Sequence, residues 1–364
     1  MEPAFADALT KIGHEVVSFA FQDYFHGKLG YYQSALPFPG PALVNLNREL
    51  LKKSGAINPD LVLVWNGTHV LPRTLRRLKA AGILLASYNN DDPFGHLIKG
   101  SVRWHHRYLW RWYLICLKYY DVNFVYRPLN LKEAISFGAR NVHVLKPYFI
   151  PYQHRPFEMP DADRGVAGCD VVFIGHYEPD GREEYLRALV TAGVHVRLYG
   201  GKYWTREVLG DMADYFGDIS PVYDKEYVKA LCGAKICLSF LSKMNRDTFT
   251  RRCFEIPACG RLLLCERTDD MKEMFTEGEE AVYFSSAEEL VEKVQCLLLN
   301  PLEIVRIAEA GQRRVWADGH DVVSRAQQFM ELIASMGDLM HRNVGKVPVA
   351  SAKNQGEYVS VVKP

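Results

Sequence analysis

Helical and strand-like hydrophobic patterns alternate along the first half of the chain. Apolar positions recur at helical spacing over 3–12, 42–53 and 72–80. Short apolar runs of strand length occupy 14–19, 61–65, 83–88, 122–125 and 142–145. This alternation predicts an α/β fold in which a parallel sheet carries helices on both faces.

The second half repeats the pattern after a change in composition. Residues 151–168 are rich in proline, acid and glycine, which predicts a linker between domains. Strand-like runs then follow at 170–174, 194–198, 236–241, 261–265 and 281–284. A length of 364 residues suits two domains with separate cores. We therefore predict a first domain at 1–150, a second at 169–317, a helix at 318–340 and a disordered polar tail at 341–364.

The most concentrated chemistry lies at residues 245–270, which read NRDTFTRRCFEIPACGRLLLCERTDD. We predict a helix over 248–259, ended by Gly260 in a left-handed conformation and kinked or shortened by Pro257. Arg251 and Arg252 come early in this helix, where cations and exposed N–H groups attract a phosphate. The carboxylate of Glu255, one turn later, is suited to accept hydrogen bonds from the hydroxyls of a ribose. The pattern indicates a nucleotide site, and the alternative is a solvent-exposed ion pair.

Residues 250–284 resemble the donor-binding signature of group 1 glycosyltransferases, most closely their CgeB-like (spore maturation protein) branch. The resemblance covers about 169–328. It implies the GT-B architecture, with two Rossmann-like parallel-sheet domains facing a central cleft, and a last helix that packs back on the first domain. It also implies that Glu255 contacts the donor ribose and that Asp247, eight positions earlier, contacts the donor sugar.

The resemblance implies one further element that the chain lacks. Such enzymes open with a strand and a glycine-bearing turn before the helix that 3–12 resembles. We therefore expect the first domain to miss its first strand and part of its acceptor side.

Two strand ends in the second domain offer further donor contacts. Gly175 and His176 follow the strand 170–174 and suit a diphosphate, although His176 equally suits a cap of the turn. Tyr199 and Gly200 follow the next strand, where the resemblance places the nucleotide base. Tyr199 and Tyr203 are candidates to stack on that base, with ordinary loop packing as the alternative.

Acidic groups at a strand end of the first domain are candidates for a catalytic base. Asp91, Asp92 and His96 follow the strand 83–88 and are placed to accept a proton from an acceptor hydroxyl. The alternative is that the two aspartates cap the following helix. Asp161 and Asp163 form the one DxD motif, but they lie in the predicted linker. We predict no metal and no cofactor besides the donor.

A basic and aromatic segment, residues 99–120, reads KGSVRWHHRYLWRWYLICLKYY. Arg103, Arg107 and Arg111 share one helical stripe beside aromatic residues, which is typical of a helix lying on an anionic bilayer. A core helix with surface arginines is the alternative. A net charge of +1 and the absence of a nucleic-acid motif argue against nucleic acid as a partner.

Eight cysteines without CxxC spacing indicate reduced, buried thiols and a cytoplasmic protein. No signal peptide and no run of eighteen apolar residues is visible, so we expect a soluble protein, at most peripheral on the inner face of the membrane. The missing signal also argues against a periplasmic binding protein.

The predicted function is a hexosyltransferase-like glycosyltransferase of polysaccharide biosynthesis. It moves a sugar from a nucleoside-diphosphate sugar to a hydroxyl of a glycan, a lipid-linked glycan or a protein. The alternatives are a non-catalytic sugar-nucleotide-binding protein that lost its acceptor side, and a sugar-nucleotide epimerase on the same fold.

Overall fold

The structure is a computed structural model that describes residues 3–95, 104–157, 168–201, 203–343 and 357–362. The chain divides into two compact units. The first comprises Met1–Lys146 together with Val322–Pro364, and the second comprises Pro147–Asp321.

The α-helices of the described ranges are α1 (Pro3–Lys11), α2 (Gly27–Ala35), α3 (Pro41–Ile57), α4 (Pro72–Ala80), α5 (Trp104–Cys116), α6 (Leu129–Ser136), α7 (Arg182–Thr191), α8 (Arg206–Leu209), α9 (Met212–Phe216), α10 (Asp224–Gly233), α11 (Arg252–Ala258), α12 (Asp269–Met274), α13 (Ala287–Leu299), α14 (Pro301–Ala317) and α15 (Val322–Asn343). The strands are β1 (Glu15–Ala20), β2 (Leu61–Trp65), β3 (Leu84–Asn89), β4 (Val122–Val125), β5 (Val142–Val144), β6 (Cys169–Ile174), β7 (Val196–Tyr199), β8 (Ala234–Ser239), β9 (Leu262–Glu266), β10 (Val282–Phe284) and β11 (Glu357–Val362).

Each unit is built on one parallel sheet, so the predicted fold class is confirmed. The first sheet has the order β1-β11-β2-β3-β4-β5, and the second has the order β10-β9-β8-β6-β7. In the second sheet the chain moves outward from β6 to β7 and then returns to the other side of β6 as β8. The strand order therefore reverses between β6 and β8, and ligands of open α/β sheets bind at such a point.

Strand β11, from the C-terminal end of the chain, lies between β1 and β2 in the first sheet. It runs parallel to both, with Glu357 opposite Glu15 on one side and Tyr358 opposite Leu61 on the other. The facing edges of β1 and β2 need backbone hydrogen-bond partners, which β11 supplies. Its sequence, EYVSVV, is rich in β-branched residues that favour strands. The prediction of a disordered tail over 341–364 was wrong for β11 and for α15, which extends to Asn343.

The long helix α15 belongs to the first unit. Phe329 on α15 packs against Phe5 of α1 and Phe124 of β4, with ring centroids 5.7 and 4.8 Å apart. All three rings are buried, so they close one face of the first sheet.

One face of the second sheet is covered by a core of aromatic and aliphatic side chains. Phe173 of β6 meets Phe240, which follows β8, with ring centroids 4.9 Å apart. Tyr185 of α7 packs on Phe240 and on Phe284 of β10. This packing fixes the ends of β6 and β8, which carry the candidate site.

The cysteine prediction holds for all positions but one. All eight are free thiols, and each is buried except Cys296. None of the helices in the described ranges combines the length and the apolar character that a bilayer crossing requires.

Candidate functional site

Helix α11 is shorter than predicted. It begins at Arg252 rather than near residue 248, and it ends at Ala258 with Pro257 inside it. Gly260 has a φ of 66°, so the predicted left-handed end is confirmed. A helix of seven residues has a small dipole, so any phosphate affinity here depends on the arginine side chains more than on the helix terminus.

Glu255 lies at the centre of a cluster of polar side chains. It is only 7% exposed, so the alternative of a solvent-exposed ion pair does not hold. Nε of Arg251 lies 2.6 Å from its Oε1, and the hydroxyl of Tyr227 donates a hydrogen bond of 2.8 Å to its Oε2. Nε2 of His154 lies 3.6 Å from Oε1. A buried carboxylate requires partners of this kind.

The partners keep Glu255 ionised. Burial acts to raise the pKa of Glu255, but the guanidinium of Arg251, followed by His154 and the Tyr227 hydroxyl, outweighs it and leaves the pKa below its ordinary value. Burial and the nearby Glu255 raise the pKa of Tyr227 well above its ordinary value, so the hydroxyl keeps the proton that it donates.

The hydrogen-bond pattern fixes the tautomer of His154. The backbone N–H of Ile150 donates to its Nδ1 at 3.0 Å, so the ring proton resides on Nε2, which faces Glu255. His154 therefore directs an N–H donor towards the carboxylate of Glu255.

Arg252 is a candidate cation for a ligand at the end of β6. Its Nε is buried and has no hydrogen-bond partner among the described residues. Its Nη2 lies 3.5 Å from the position that a Cβ on Gly175 would occupy. Gly175 follows β6 and Arg252 comes from the segment after β8, so the two meet where the strand order reverses. Arg251 is held differently, paired with Glu255 and stacked over the ring of Tyr148 at 5.1 Å.

Gly175 and Gly200 lie side by side at the ends of β6 and β7. A Cβ on Gly200 would lie 2.4 Å from Cδ1 of Trp204 and 2.6 Å from the carbonyl oxygen of Gly175. Nε1 of Trp204 donates a hydrogen bond to that same carbonyl at 2.8 Å. The glycine at position 200 is therefore required by packing.

Tyr199 faces another part of the second unit. It lines a cavity of about 320 Å³ along the outer edge of β7, together with Tyr215 and Asp218. Arg252, Glu255 and Gly175 are not among the residues that line this cavity. Tyr203 is 58% exposed. The backbone carbonyl of Tyr199 accepts a hydrogen bond of 2.9 Å from the N–H of Gly175. Stacking of Tyr199 or Tyr203 on a nucleotide base stays a prediction.

His176 is part of a second network that ties the loop after β6 to the loop after β8. Its Nε2 lies 3.1 Å from Oε1 of Glu178, which is buried. The Oε2 of Glu178 accepts a hydrogen bond from Ser242 and lies 3.6 Å from Arg182. Burial acts to raise the pKa of Glu178, but His176 and Arg182 lower it to below the ordinary value.

This network also positions Asp247. The backbone N–H of Asp247 donates to the carbonyl of Ser242 at 2.8 Å. The loop that carries Asp247 is thereby connected through Ser242 to Glu178, near the point where the strand order of the second sheet reverses.

The candidate bases of the first unit are held by local hydrogen bonds. Oδ1 of Asp92 accepts from the backbone N–H of Phe94 at 3.1 Å and from Asn130 at 3.2 Å, and the residue is buried. Asp91 accepts from Asn66 at 3.1 Å. The contacts to Asp92 fit the predicted capping alternative.

Four predicted positions lie outside the described residues. They are His96, Arg103, Asp161 and Asp163. Among the residues that the structure describes, no group of three or more His, Cys, Asp or Glu side chains could hold a metal ion.

Sequence reasoning missed three groups around the site. Tyr227 comes from α10, His154 comes from the predicted linker, and Glu178 follows β6. Tyr227 and His154 reach Glu255 only through tertiary structure, and neither stands in a recognisable motif. Glu178 could have been predicted from the sequence, because an acidic residue shortly after the end of a buried strand indicates a polar site.

Comparisons with known proteins support a glycosyl transferase-like second half. Residues 182–331 match the model of a family described as glycosyl transferase-like. No curated protein matches the chain in sequence.

Solved structures share the fold over most of the chain. HepE from Anabaena, in complex with UDP and glucose, is 13% identical, with a TM-score of 0.64 over 91% of this chain and 95% of that one. Sucrose-phosphate synthase from Thermosynechococcus elongatus is 14% identical, with a TM-score of 0.62 over 82% and 79%. A glycosyltransferase from Rickettsia africae ESF-5 is 11% identical, with a TM-score of 0.60 over 90% and 92%. The fold is that of GT-B glycosyltransferases.

Proposed function

We propose that the chain is a glycosyltransferase that binds a nucleoside-diphosphate sugar on its second unit. The observation that carries this proposal is Arg252, whose buried Nε has no partner among the described residues and whose guanidinium borders Gly175. A cation held beside a glycine at a strand-order reversal suits the close approach of a diphosphate. Glu255, three positions further on, supplies a carboxylate that accepts hydrogen bonds from ribose hydroxyls.

Leaving-group stabilisation is the main catalytic effect that we propose. The bond between the anomeric carbon and the phosphate oxygen breaks, and its electron pair remains on the nucleoside diphosphate. Arg252, assisted by Arg251, stabilises that developing charge in a partly buried site, so this mechanism requires no metal. Asp247 contacts the sugar, and Gly175 and His176 border the diphosphate.

The proposed donor is a UDP-hexose. The support is that HepE structures with this fold contain UDP-glucose or UDP with glucose. We propose a place in the CgeB-like branch because residues 250–284 resemble its donor signature. The acceptor is a hydroxyl of a glycan, a lipid-linked glycan or a protein, in cytoplasmic polysaccharide biosynthesis.

Asp92 is the proposed base on the acceptor side. It follows β3 at the carboxyl end of the first sheet and is buried among hydrogen-bond donors. For Asp92 to act as the base, one of its carboxylate oxygens must reach an acceptor hydroxyl.

The proposal is tested by incubating the protein with a panel of nucleotide sugars and acceptor mixtures. We expect release of one nucleoside diphosphate that depends on acceptor. Glu255→Gln should lose this activity, whereas Asp269→Asn, which alters a carboxylate that is 95% exposed, should keep it. Binding without release would indicate a sugar-nucleotide sensor. An altered nucleotide sugar formed without acceptor would indicate an epimerase, and either result would overturn the proposal.

A further inference from the structure

Helix α2 presents large apolar side chains to solvent. Leu29, Tyr31 and Tyr32 are 57%, 70% and 59% exposed within a helix of nine residues. Only Gly30 and Gln33 of this helix are buried. The large apolar side chains of α2 therefore face solvent, the reverse of the usual arrangement in a globular unit.

The helix is firmly attached in this orientation. Oε1 of Gln33 accepts hydrogen bonds from the backbone N–H groups of Ala42 and Leu43, at the start of α3. The carbonyl of Ser34 is 3.0 Å from Nε2 of His69. A Cβ at Gly30 would lie 2.5 Å from the carbonyl carbon of Phe25, so this side of α2 is in tight contact with the unit.

Helix α5 continues this surface with aromatic and cationic side chains. Trp112 donates a hydrogen bond to the carbonyl of Pro37, two residues after α2 ends, so the two helices are neighbours. Trp104 is 69% exposed and Arg107 is exposed beside it. Arg111 lies over the ring of Trp112 at 4.2 Å.

The opposite side of α5 belongs to the core. Trp110 and Tyr113 are buried in a cluster with Phe94 and Leu117. On the outer side of α5, the side chains of Trp104, Arg107 and Ile115 are exposed.

We propose that α2 and the outer side of α5 form a surface that binds an anionic membrane. The two helices carry Lys28, Arg107 and Arg111 and contain no carboxylate. Cations attract acidic lipid headgroups, while exposed tyrosine and tryptophan rings partition into the interface of a bilayer. This proposal is independent of the donor site.

Vesicle flotation tests the proposal on the full-length protein. We expect flotation with vesicles that contain phosphatidylglycerol, no flotation with phosphatidylcholine alone, and weaker binding as salt is raised. The double variant Arg107→Gln/Arg111→Gln should weaken binding by about 25-fold, since each cation near the surface contributes about fivefold. Tyr31→Ser/Tyr32→Ser should weaken it roughly tenfold.

The matched control is Tyr223→Ser, which removes a tyrosine of the second unit that is 71% exposed, and it should bind like the wild type. The arginine variant keeps the test valid if the tyrosine variant fails to fold. No flotation on anionic vesicles, or equal flotation of all variants, would overturn the proposal. A concentration-dependent dimer that is abolished by the tyrosine variant would also overturn it, because the surface would then serve a second copy of this chain.

Discussion

Replacing Tyr227 with phenylalanine removes one hydroxyl from the candidate site and keeps the ring. That hydroxyl donates a hydrogen bond of 2.8 Å to Oε2 of Glu255, and Glu255 is only 7% exposed. A hydrogen bond to a charged group contributes about 1.5 to 3 kcal/mol, and its loss leaves a buried oxygen without that donor. We expect the free energy of unfolding to fall by that amount and the melting temperature to fall by roughly 3 to 12 °C.

The effect should depend on pH through Glu255. Folding lowers the pKa of Glu255 from its ordinary value of 4.5, so the ionised carboxylate stabilises the folded state above that pH. This contribution is lost as the pH falls through the lowered pKa. The difference between wild type and Tyr227→Phe should therefore be largest near neutral pH and should shrink in acid.

Scanning calorimetry of both proteins at about pH 7 and about pH 3.5 measures this difference. Tyr223→Phe is the control, because Tyr223 is 71% exposed and should show no change at either pH. Equal melting temperatures of Tyr227→Phe and wild type would refute the reasoning. A loss of the same size at both values of pH would refute the link to Glu255.

Three further changes test other parts of the structure. Gly200→Ala places a Cβ 2.4 Å from Cδ1 of Trp204 and should lower the free energy of unfolding by about 1 to 3 kcal/mol. In the control Gly201→Ala the new Cβ meets nothing within 4 Å, so the free energy of unfolding should change by less than about 0.5 kcal/mol. Asp92→Asn keeps an oxygen for the contact with the backbone N–H of Phe94. It should reduce turnover by about 10²-fold or more while donor binding is unchanged. Unchanged turnover would exclude Asp92 as the base. Val359→Pro removes one backbone hydrogen-bond donor from β11 and should lower the melting temperature. An unchanged melting temperature would show that β11 does not stabilise the first sheet.

The α/β architecture was predictable because buried parallel strands are continuous apolar runs. Strands β2 and β4 and helix α4 have the predicted bounds, and most other elements differ by one to four residues at their ends. Helix α2 was missed because pattern reading assumes that apolar residues face inward, whereas Tyr31 and Tyr32 face solvent. Strand β11 was missed because its partners β1 and β2 lie at the other end of the sequence.

The candidate site was predictable where its chemistry is local in sequence. Arg251, Arg252 and Glu255 lie within five residues, and the structure places the two arginines near the buried carboxylate of Glu255. Tyr227 and His154 were not predictable, because a long-range fold brings them to Glu255. The predicted helix dipole contributes little, since Pro257 and the late start at Arg252 leave α11 short.

Calorimetric titration with a panel of nucleoside diphosphates tests the central claim most directly. We expect the wild type to bind one of them. Arg252→Gln should weaken that binding by about 1.5 to 3 kcal/mol, at least roughly tenfold, because a charged hydrogen bond to the diphosphate is lost. Arg313→Gln, which alters a guanidinium that is 71% exposed, should bind like the wild type. Failure of every diphosphate to bind, or equal affinity of the wild type and Arg252→Gln, would contradict a donor site at Arg252 and Glu255.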